Sequence, residues 1–556
     1  MNSKSITKIM INFLILIQAL KLVFPFSIDQ TNQFILDKYG RYSIFHGGNV
    51  VVKLPPYHPT LDEFDYQMSL NTPHDLETMK RLGFNSVRLG VIWEAVEKEP
   101  GVYDYEYLNT IENIINTLGK NGIYTMVDAH QDVFSRQFCG EGVPYFYVNE
   151  MGYDEKCDST FLTRILGFVG VCKTLKDFNF RLDENGLPLI EDCVKHNFQD
   201  YHFIAGFSGA YRNFYLNKAN IQEKFVEFWK VVVNRFKGNE YILGYDLWNE
   251  PIPGGVLEDI KNLIPGRPDV VDILPVYRKV NKALREIDPN YILFFENTPV
   301  PDTLPIFGGL FLGSMSEKPG PDEEPQVYNF HSYCCLSGSD TCAHGEASYE
   351  KSISVCPKFH SNKFKKEIQT ATNLKTPMFL SEFGACSDSM SCYNEIMSVM
   401  KITESNFISW SYWGYKPFGD FTTSAIELVS YEGIYNDDGT VQNIKERGLS
   451  RGYVMYYQGR PIDFMFNGDS ETDFETSFEY HKNITEPSIL YYNKDFFYKY
   501  GHSIKVINDE TKEDLIENKS VTIEEKESNY INIKCNENLL EDNTKVRIIF
   551  RALDED

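Results

Sequence analysis

Hydrophobic and polar positions follow two different patterns along the chain, and the change between them falls near residue 448. Before it, eight short runs rich in Val, Ile, Tyr and Phe are separated by stretches long enough for helices. The runs cover residues 42–52, 86–93, 124–130, 242–250, 291–297, 326–333, 377–385 and 407–413. Eight strand-then-helix units predict an α/β fold of the (β/α)8 TIM barrel type, with functional residues at the carboxyl ends of the strands.

Helical spacing is clearest between the second and third runs, over residues 103–118. Tyr107, Ile111, Ile114 and Ile115 recur on one face, and Gly119 and Gly122 follow. This spacing predicts an amphipathic helix that ends at the glycines.

Two connections are unusual for a barrel. Residues 134–220 form a far longer connection than a barrel requires and carry four cysteines, which predicts a folded insertion beside the cleft. Residues 304–312 are apolar and glycine-rich and include Phe307 and Phe311. That stretch is either buried or an apolar surface for a ligand.

The pattern after residue 448 consists of short strand-like runs without helices between them. Such spacing predicts an all-β sandwich. The sequence therefore predicts a catalytic domain over residues 28–448, with its insertion at 134–220, and a β-sandwich domain over residues 449–556.

The first residues have the pattern of a secretory signal peptide. Lysines precede an apolar stretch from Ile9 to about Phe26, and Lys21 interrupts that stretch. We assign residues 1–27 to the signal, with cleavage near Ser27, and an uncleaved anchor is the alternative. Secretion or delivery to a lysosome-like lumen is the expected localisation.

The charge and the cysteines narrow the class of protein. A formal net charge of -25 argues against nucleic acid or an anionic membrane as the main partner. Eleven cysteines suit an oxidising compartment, and an odd count leaves at least one unpaired. Their clusters at 139–193 and 334–356 predict disulfides that staple two long loops, whereas a zinc site lacks the usual ligand spacing. Asn483 and Asn518 begin glycosylation sequons, and nothing predicts a cofactor, a metal or an obligate protein partner.

Two glutamates at predicted strand ends carry the candidate chemistry. Glu250 follows Asn249 in Leu-Trp-Asn-Glu-Pro, and Glu382 lies in Leu-Ser-Glu-Phe-Gly. Hydrolysis of a glycosidic bond uses two carboxyl groups in different protonation states. Asn249 is placed to bind the sugar 2-hydroxyl, Glu250 to act as acid/base, and Glu382 to act as nucleophile.

Further strand-end residues suit the same chemistry. Arg88 and Tyr333 are candidates to keep Glu382 ionised. His130 and Asp132 are candidates to bind sugar hydroxyls, and an Asp-x-His pair leaves a metal as the weaker reading. The last strand offers Trp410 and Trp413 for stacking on a pyranose ring. Because two residues separate them, they should face opposite sides.

The order Arg88, His130, Asn249-Glu250, His331-x-Tyr333, Glu382 and a final Trp resembles glycoside hydrolase family 5. Within it the chain is similar to the endoglycoceramidases, on residues 49–53 with Pro56 and Tyr57, on residues 128–132 and 244–251, and on the β-sandwich after the barrel. The resemblance implies cleavage between oligosaccharide and ceramide of a glycosphingolipid, with retention of configuration and transient contact with a membrane or micelle surface. It implies the acid/base role for Glu250 and the nucleophile role for Glu382. It assigns contacts to the first sugar to Lys53, His130, Asp132, Asn249 and Tyr333, with Trp410 or Trp413 beneath that sugar and Arg88 and His331 in support.

Two alternatives remain at this point. An endo-β-glucanase or β-glucosidase acting on soluble glycans would share both glutamates, and only lipid-facing loops would separate it. A secreted, non-catalytic glycan- or lipid-binding protein would not need an acid and a nucleophile together. The lipid half of the substrate would give residues 304–312 a role as a wall for ceramide chains.

Overall fold

A computed structural model describes residues 25–157, 172–196, 198–255, 259–299, 315–334, 347–422, 432–526 and 529–555. Residues 1–24, most of the predicted signal peptide, lie outside these ranges, as do the apolar stretch 304–312 and the cysteines Cys335 and Cys342. Within the described ranges, no helix combines the length and the hydropathy that a membrane span requires.

Twenty-one strands and twelve α-helices lie in the described residues. The strands are β1 (Phe26–Asp29), β2 (Phe34–Asp37), β3 (Tyr42–Ser43), β4 (His46–Val50), β5 (Ser86–Gly90), β6 (Glu97–Glu99), β7 (Val102–Tyr103), β8 (Tyr124–Asp128), β9 (Ile242–Asp246), β10 (Leu293–Glu296), β11 (Gln326–Ser332), β12 (Met378–Phe383), β13 (Ser409–Tyr412), β14 (Tyr453–Tyr457), β15 (Gly459–Phe466), β16 (Phe474–Tyr480), β17 (Ser488–Tyr491), β18 (His502–Asn508), β19 (Val521–Lys526), β20 (Tyr530–Cys535) and β21 (Lys545–Ala552). The helices are α1 (Pro73–Arg81), α2 (Trp93–Val96), α3 (Tyr105–Lys120), α4 (Tyr145–Met151), α5 (Ile190–Cys193), α6 (Ala205–Tyr215), α7 (Ile221–Phe236), α8 (Leu274–Arg285), α9 (Tyr349–Ser354), α10 (Cys356–Leu374), α11 (Met390–Ser405) and α12 (Asn443–Leu449).

Eight parallel strands close into a barrel in the order β4, β5, β8, β9, β10, β11, β12 and β13. Each comes from one of the eight runs predicted from the sequence, so the predicted barrel is confirmed. Nearly all their residues are buried, because side chains fill the interior and helices cover the outside.

Local sequence explains where the helices begin. Thr72 caps α1 and forms a reciprocal capping box with Asp75, and Pro73 occupies the first helical position. Asp104 caps α3 by accepting a hydrogen bond from the Tyr107 amide. The four apolar residues predicted to form one face of α3 are all buried, as expected for a helix that packs on the barrel.

The described parts of the insertion predicted over residues 134–220 are residues 134–157, 172–196 and 198–220. They contain α4, α5 and α6, and the Cys139–Cys193 and Cys157–Cys172 disulfides tie them together. Two further disulfides, Cys334–Cys356 and Cys386–Cys392, lie where β11 and β12 leave the barrel. Among the described cysteines Cys535 is free and buried.

The strands after residue 448 form two antiparallel sheets that share one apolar core. The four-stranded sheet runs β15-β16-β21-β18. The seven-stranded sheet runs β1-β2-β3-β14-β17-β20-β19 and therefore takes three strands from residues 26–43. The predicted boundary at residue 448 places those residues with the barrel, because pairing across four hundred residues leaves no local signal.

The strand β1 also covers the amino end of the barrel. Phe26 is buried, with its ring 5.4 Å from that of Phe45 and 4.7 Å from that of Tyr124. Cleavage at Ser27 would cut β1 in two. A mature chain that keeps this packing therefore starts at or before Phe26.

Candidate active site

The carboxyl ends of the barrel strands bring the predicted residues to one place. Glu382 lies in β12, Arg88 in β5 and His331 in β11, while Glu250 follows β9 by four residues. Parallel strands end at the same mouth of a barrel, so residues distant in sequence converge there.

The two glutamates are close to each other. His331 Nδ1 lies 2.7 Å from Glu250 Oε1 and 3.4 Å from Glu382 Oε2. A carboxylate oxygen of Glu250 and one of Glu382 lie within 4.8 Å of each other. An inverting glycosidase holds its carboxyl groups about 6.5 to 9.5 Å apart to admit a water, so this spacing fits a retaining arrangement of about 5 to 5.5 Å.

Glu382 is surrounded by donors that favour its ionised form. Arg88 Nη1 donates to Oε1 at 2.6 Å, and the Tyr333 hydroxyl donates to Oε2 at 2.8 Å. Burial raises the pKa of Glu382, and His331 and Arg88 act in the opposite direction. The two hydrogen bonds leave this carboxyl better suited to carry a negative charge than Glu250.

Arg88 organises more of the site than the sequence suggests. It is fully buried, and its Nε donates to Asp246 Oδ2 at 2.9 Å while Nη2 donates to Asn249 Oδ1 at 2.9 Å. Nη2 also lies 3.1 Å from Asp128 Oδ1. The positive charge of Arg88 thus stabilises three buried carboxylates, whose removal from water would otherwise be costly.

Glu250 has a different environment. Its side chain is 29% exposed, against 6% for Glu382, so it faces the cleft. Burial raises the pKa of Glu250, and the negative charge of Asp132 raises it further. Its backbone has φ +41°, a conformation that non-glycine residues rarely adopt.

His331 bridges the two glutamates as a neutral ring. Burial lowers the pKa of His331 to about 4 even though Glu382 opposes this. Above that pH one ring nitrogen carries a hydrogen and the other accepts a hydrogen bond. A neutral ring beside Glu250 can accept a hydrogen bond from a carboxylic acid or donate one to a carboxylate.

A charged network lies beside the pair. Burial disfavours the charged form of His130, but Asp128, 2.7 Å from its Nδ1, raises its pKa to about 9. Lys53 Nζ lies 2.5 Å from Asp132 Oδ2 and 3.0 Å from Asp420 Oδ2. Burial alone would raise the pKa of Asp132, but Lys53 and His130 together lower it.

Trp413 borders this network and Trp410 does not. The Trp413 ring stacks on His130 at 5.3 Å and lies 4.8 Å from Lys53 Nζ, and its Nε1 donates to Glu432 Oε2 at 2.9 Å. Trp410 is 0% exposed and stacks on His46 at 4.3 Å, outside the barrel interior. The predicted opposite orientation is confirmed, and a substrate contact by Trp410 is wrong because its ring is buried in packing.

Asn249 is held in place by its neighbours. Its Oδ1 accepts from Arg88, and its Nδ2 donates to the Gln131 carbonyl at 3.1 Å. The Nδ2 group of Asn249 has two hydrogens, and the hydrogen bond to the Gln131 carbonyl uses one of them.

Sequence reasoning missed several residues that contact the predicted ones, and four of them are acidic or hydroxyl side chains beside Lys53, Asp132 and Glu250. These four are Glu141, Glu296, Asp420 and Thr422. Glu296 ends β10, and a polar residue at a barrel strand end is a signal that could have found it. Asp420 and Thr422 lie in a connection after the last strand, where no pattern marks them.

Two groups in the site bring three donor atoms within 4.8 Å, as a metal would need: His130 with Asp132 and Glu141, and Glu250 with His331 and Glu382. In the first, Lys53 already pairs with Asp132, and in the second Arg88 already pairs with Glu382. In each group a metal ion would have to approach a buried positive charge, that of Lys53 in the first and that of Arg88 in the second. The donor sets therefore suit acid and base chemistry better than metal binding.

The site brings two carboxyl groups with different hydrogen-bond partners and a tryptophan ring together at one mouth of the barrel. The cellulase model of glycosyl hydrolase family 5 matches residues 53–163 and 192–419, which include both glutamates. The chain is 28% identical to an endoglycoceramidase of Cyanea nozakii over 491 residues, 86% of each protein. It is also 28% identical to an endoglycoceramidase of Hydra vulgaris over 492 residues, covering 86% of this chain and 83% of that protein.

Solved structures show the same fold. Endo-glycoceramidase II from Rhodococcus sp., in complex with a five-membered iminocyclitol, superposes with a TM-score of 0.66 at 18% identity, over 94% of this chain and 100% of that one. The family model covers well over half of the sequence. The chain belongs to glycosyl hydrolase family 5.

Proposed function

We propose that the protein is a retaining glycosidase that cleaves the β-glycosidic bond between the sugar and the ceramide of glycosphingolipids. The observation that carries the proposal is the Glu250 and Glu382 pair, with oxygens within 4.8 Å of each other in two different environments. The endoglycoceramidases that align with 86% of the chain support the substrate class.

In the first step Glu382 attacks the anomeric carbon of the sugar attached to ceramide. The bond to the ceramide oxygen breaks, and Glu250 gives its proton to that oxygen as the leaving group departs. Arg88 and Tyr333 keep Glu382 ionised before the attack. The product of the step is a glycosyl ester on Glu382.

In the second step water hydrolyses that ester. Glu250, now a carboxylate, takes one proton from the water as its oxygen bonds to the anomeric carbon. The ester bond breaks, Glu382 leaves as a carboxylate, and Glu250 is protonated again. Two inversions at one carbon give net retention.

The residues around the pair supply contacts for the first sugar. Lys53, His130, Asp132, Asn249 and Tyr333 offer charged and polar groups beside the pair, and Trp413 offers a ring. We propose that they bind the hydroxyls and one face of that sugar. Hydrogen bonds that strengthen as the ring flattens would lower the barrier further.

A glycolipid substrate also implies contact with a membrane or micelle surface and a location outside the cytosol. Four disulfides among the described residues suit an oxidising compartment. We propose secretion through the amino-terminal signal, glycosylation at Asn483 and Asn518, and a transient encounter with the lipid surface. The role of residues 304–312 as a ceramide wall stays a prediction, since they lie outside the described residues.

The test is product analysis with the full secreted chain. Lactosylceramide, glucosylceramide, galactosylceramide and cello-oligosaccharides are incubated separately, and mass spectrometry identifies the released ends. Intact sugar headgroup together with ceramide is the expected result. Cleavage of cello-oligosaccharides alone would favour a soluble-glycan hydrolase, and no cleavage of any substrate would favour a binding protein.

A further inference from the structure

A third carboxyl, Glu296, lies directly behind Glu250. It is the last residue of β10, and its side chain is 3% exposed, so it does not line the open cleft. Its Oε1 accepts a hydrogen bond from the Glu250 amide at 2.6 Å. Its Oε2 lies 3.5 Å from His331 Nε2.

The hydrogen bond from the Glu250 amide to Glu296 matters because the Glu250 backbone is strained. A left-handed conformation is unfavourable for a residue other than glycine, because its Cβ approaches the following carbonyl oxygen. A buried acceptor for the Glu250 N–H holds this conformation, which turns the side chain toward His331 and Glu382. Glu296 therefore fixes the direction of the acid.

The second contact connects Glu296 to the proton on Glu250 through His331. When Glu250 is protonated, its hydroxyl donates to Nδ1 of the neutral ring, and the ring hydrogen lies on Nε2, facing Glu296. When Glu250 is ionised, the ring hydrogen lies on Nδ1, and Nε2 needs a donor. A carboxyl can serve as acceptor in the first state and, when protonated, as donor in the second.

The surroundings allow Glu296 to hold that proton. Burial raises the pKa of Glu296, and the charges of Asp246 and Glu250 raise it further, while Arg88 opposes them. The titratable and charged groups facing this part of the site from each neighbouring element are Arg88, Asp128, His130, Asp132, His202, Tyr211, Asp246, Tyr277, His331, Tyr333 and Glu382.

We propose that Glu296 is a positioning residue that sets the orientation and the protonation of Glu250 through the Glu250 amide and the His331 ring. The proposal rests on the acid/base role proposed for Glu250. Glu296 acts on the acid step and not on the attack by Glu382. It should therefore matter most for substrates whose leaving group needs a proton.

The test uses Glu296→Gln in the full-length protein. The glutamine oxygen must face the Glu250 N–H, so its NH2 group faces His331 and fixes the ring hydrogen on Nδ1. A hydrogen on His331 Nδ1 disfavours the protonated form of Glu250, so the pKa of Glu250 falls. The alkaline limb of kcat/KM then moves to lower pH. We expect kcat/KM for lactosylceramide to fall about 10-fold or more, within the range of general acid catalysis. For dinitrophenyl β-lactoside, whose leaving group needs no proton, we expect a change under about 3-fold.

Two further variants separate the explanations. Glu367→Gln removes another buried carboxyl, which accepts a 2.6 Å hydrogen bond from the Tyr328 hydroxyl and does not contact the glutamate pair. This variant should change neither the ratio of the two substrates' kcat/KM values nor the alkaline limb. Glu250→Gln should lose glycolipid turnover, and if it does not, both the acid role and this inference are overturned. If Glu250→Gln is inactive on glycolipid but Glu296→Gln affects both substrates equally, or neither, Glu296 is only structural and the proposed function stands.

Discussion

The Tyr333 hydroxyl donates a 2.8 Å hydrogen bond to Oε2 of Glu382. Arg88 holds the other oxygen, so each oxygen of this carboxylate has its own donor. A carboxylate held in this way is stabilised in its charged form and is fixed in direction. Glu250 contacts a neutral imidazole instead, and this difference is the basis for proposing Glu382 as nucleophile and Glu250 as acid.

Removal of the tyrosine hydroxyl should shift the acidic limb of the pH profile. In Tyr333→Phe the ionised form of Glu382 loses one donor, so its pKa rises and activity is lost at a higher pH on the acidic side. A hydrogen bond to a charged group contributes about 1.5 to 3 kcal/mol, which corresponds to a shift of roughly one pH unit or more. The measurement is kcat/KM against pH, and an unmoved acidic limb would show that Tyr333 does not stabilise the charge.

Substitution of Arg88 should destabilise the fold as well as the reaction. Arg88→Lys cannot reach Glu382, Asp246 and Asn249 together, and loss of a partner for buried carboxylates costs about 3 to 5 kcal/mol. Urea unfolding and kcat should both show the loss.

Arg460→Lys is the matched control for that substitution. Arg460 pairs with Glu479 in the carboxyl-terminal sheets, and its side chain is 34% exposed. The change should be under about 1 kcal/mol, with normal kinetics. Equal effects of the two substitutions would contradict the special position of Arg88.

The two tryptophans provide a pair with opposite expectations. Trp413→Phe removes the Nε1 bond to Glu432 and part of the ring beside His130, so KM for lactosylceramide should rise and kcat should fall. Trp410→Phe leaves a cavity against His46 and Phe84 and should lower the free energy of unfolding while leaving the kinetics unchanged. Truncation of a buried tryptophan to alanine costs about 3 to 5 kcal/mol, and the change to phenylalanine should cost less. Thermal unfolding and steady-state kinetics on both variants decide, and a kinetic defect in Trp410→Phe would restore it as a substrate contact.

The Cys139–Cys193 disulfide should stabilise the insertion between β8 and β9. Cys139 and Cys193 are 54 residues apart, and removal of such a bridge typically costs about 2 to 4 kcal/mol. The double substitution Cys139→Ser with Cys193→Ser should lower the thermal midpoint and make the insertion sensitive to limited proteolysis. An unchanged digestion pattern would show that the helices of the insertion hold without the bridge.

Periodicity predicts the parts of the fold that are locally encoded. The eight barrel strands and the helix α3 follow from apolar spacing, and Glu250, Glu382 and Arg88 follow from polar residues at strand ends. The pairing of β1 to β3 with strands from beyond residue 448 does not follow, since strand partners so distant in sequence leave no pattern.

The site shows the same limit. Glu296 carries a signal at its strand end, but its contacts depend on the positive φ of Glu250, which no sequence pattern shows. Asp420 reaches Lys53 from a connection after the barrel, and its position depends on how that connection folds back. Trp410 and Trp413 differ only in the side of the strand they take, and that is decided by packing against His46 and His130.

The most direct test of the central claim is to identify the residue that forms the covalent intermediate. A 2-deoxy-2-fluoro-lactosyl substrate with a good leaving group traps the glycosyl ester, and peptide mapping by mass spectrometry locates it. The account predicts a stoichiometric label on Glu382, absent in Glu382→Gln, together with release of the β-anomer of lactose from lactosylceramide. A label on another residue, or initial release of the α-anomer, would contradict it.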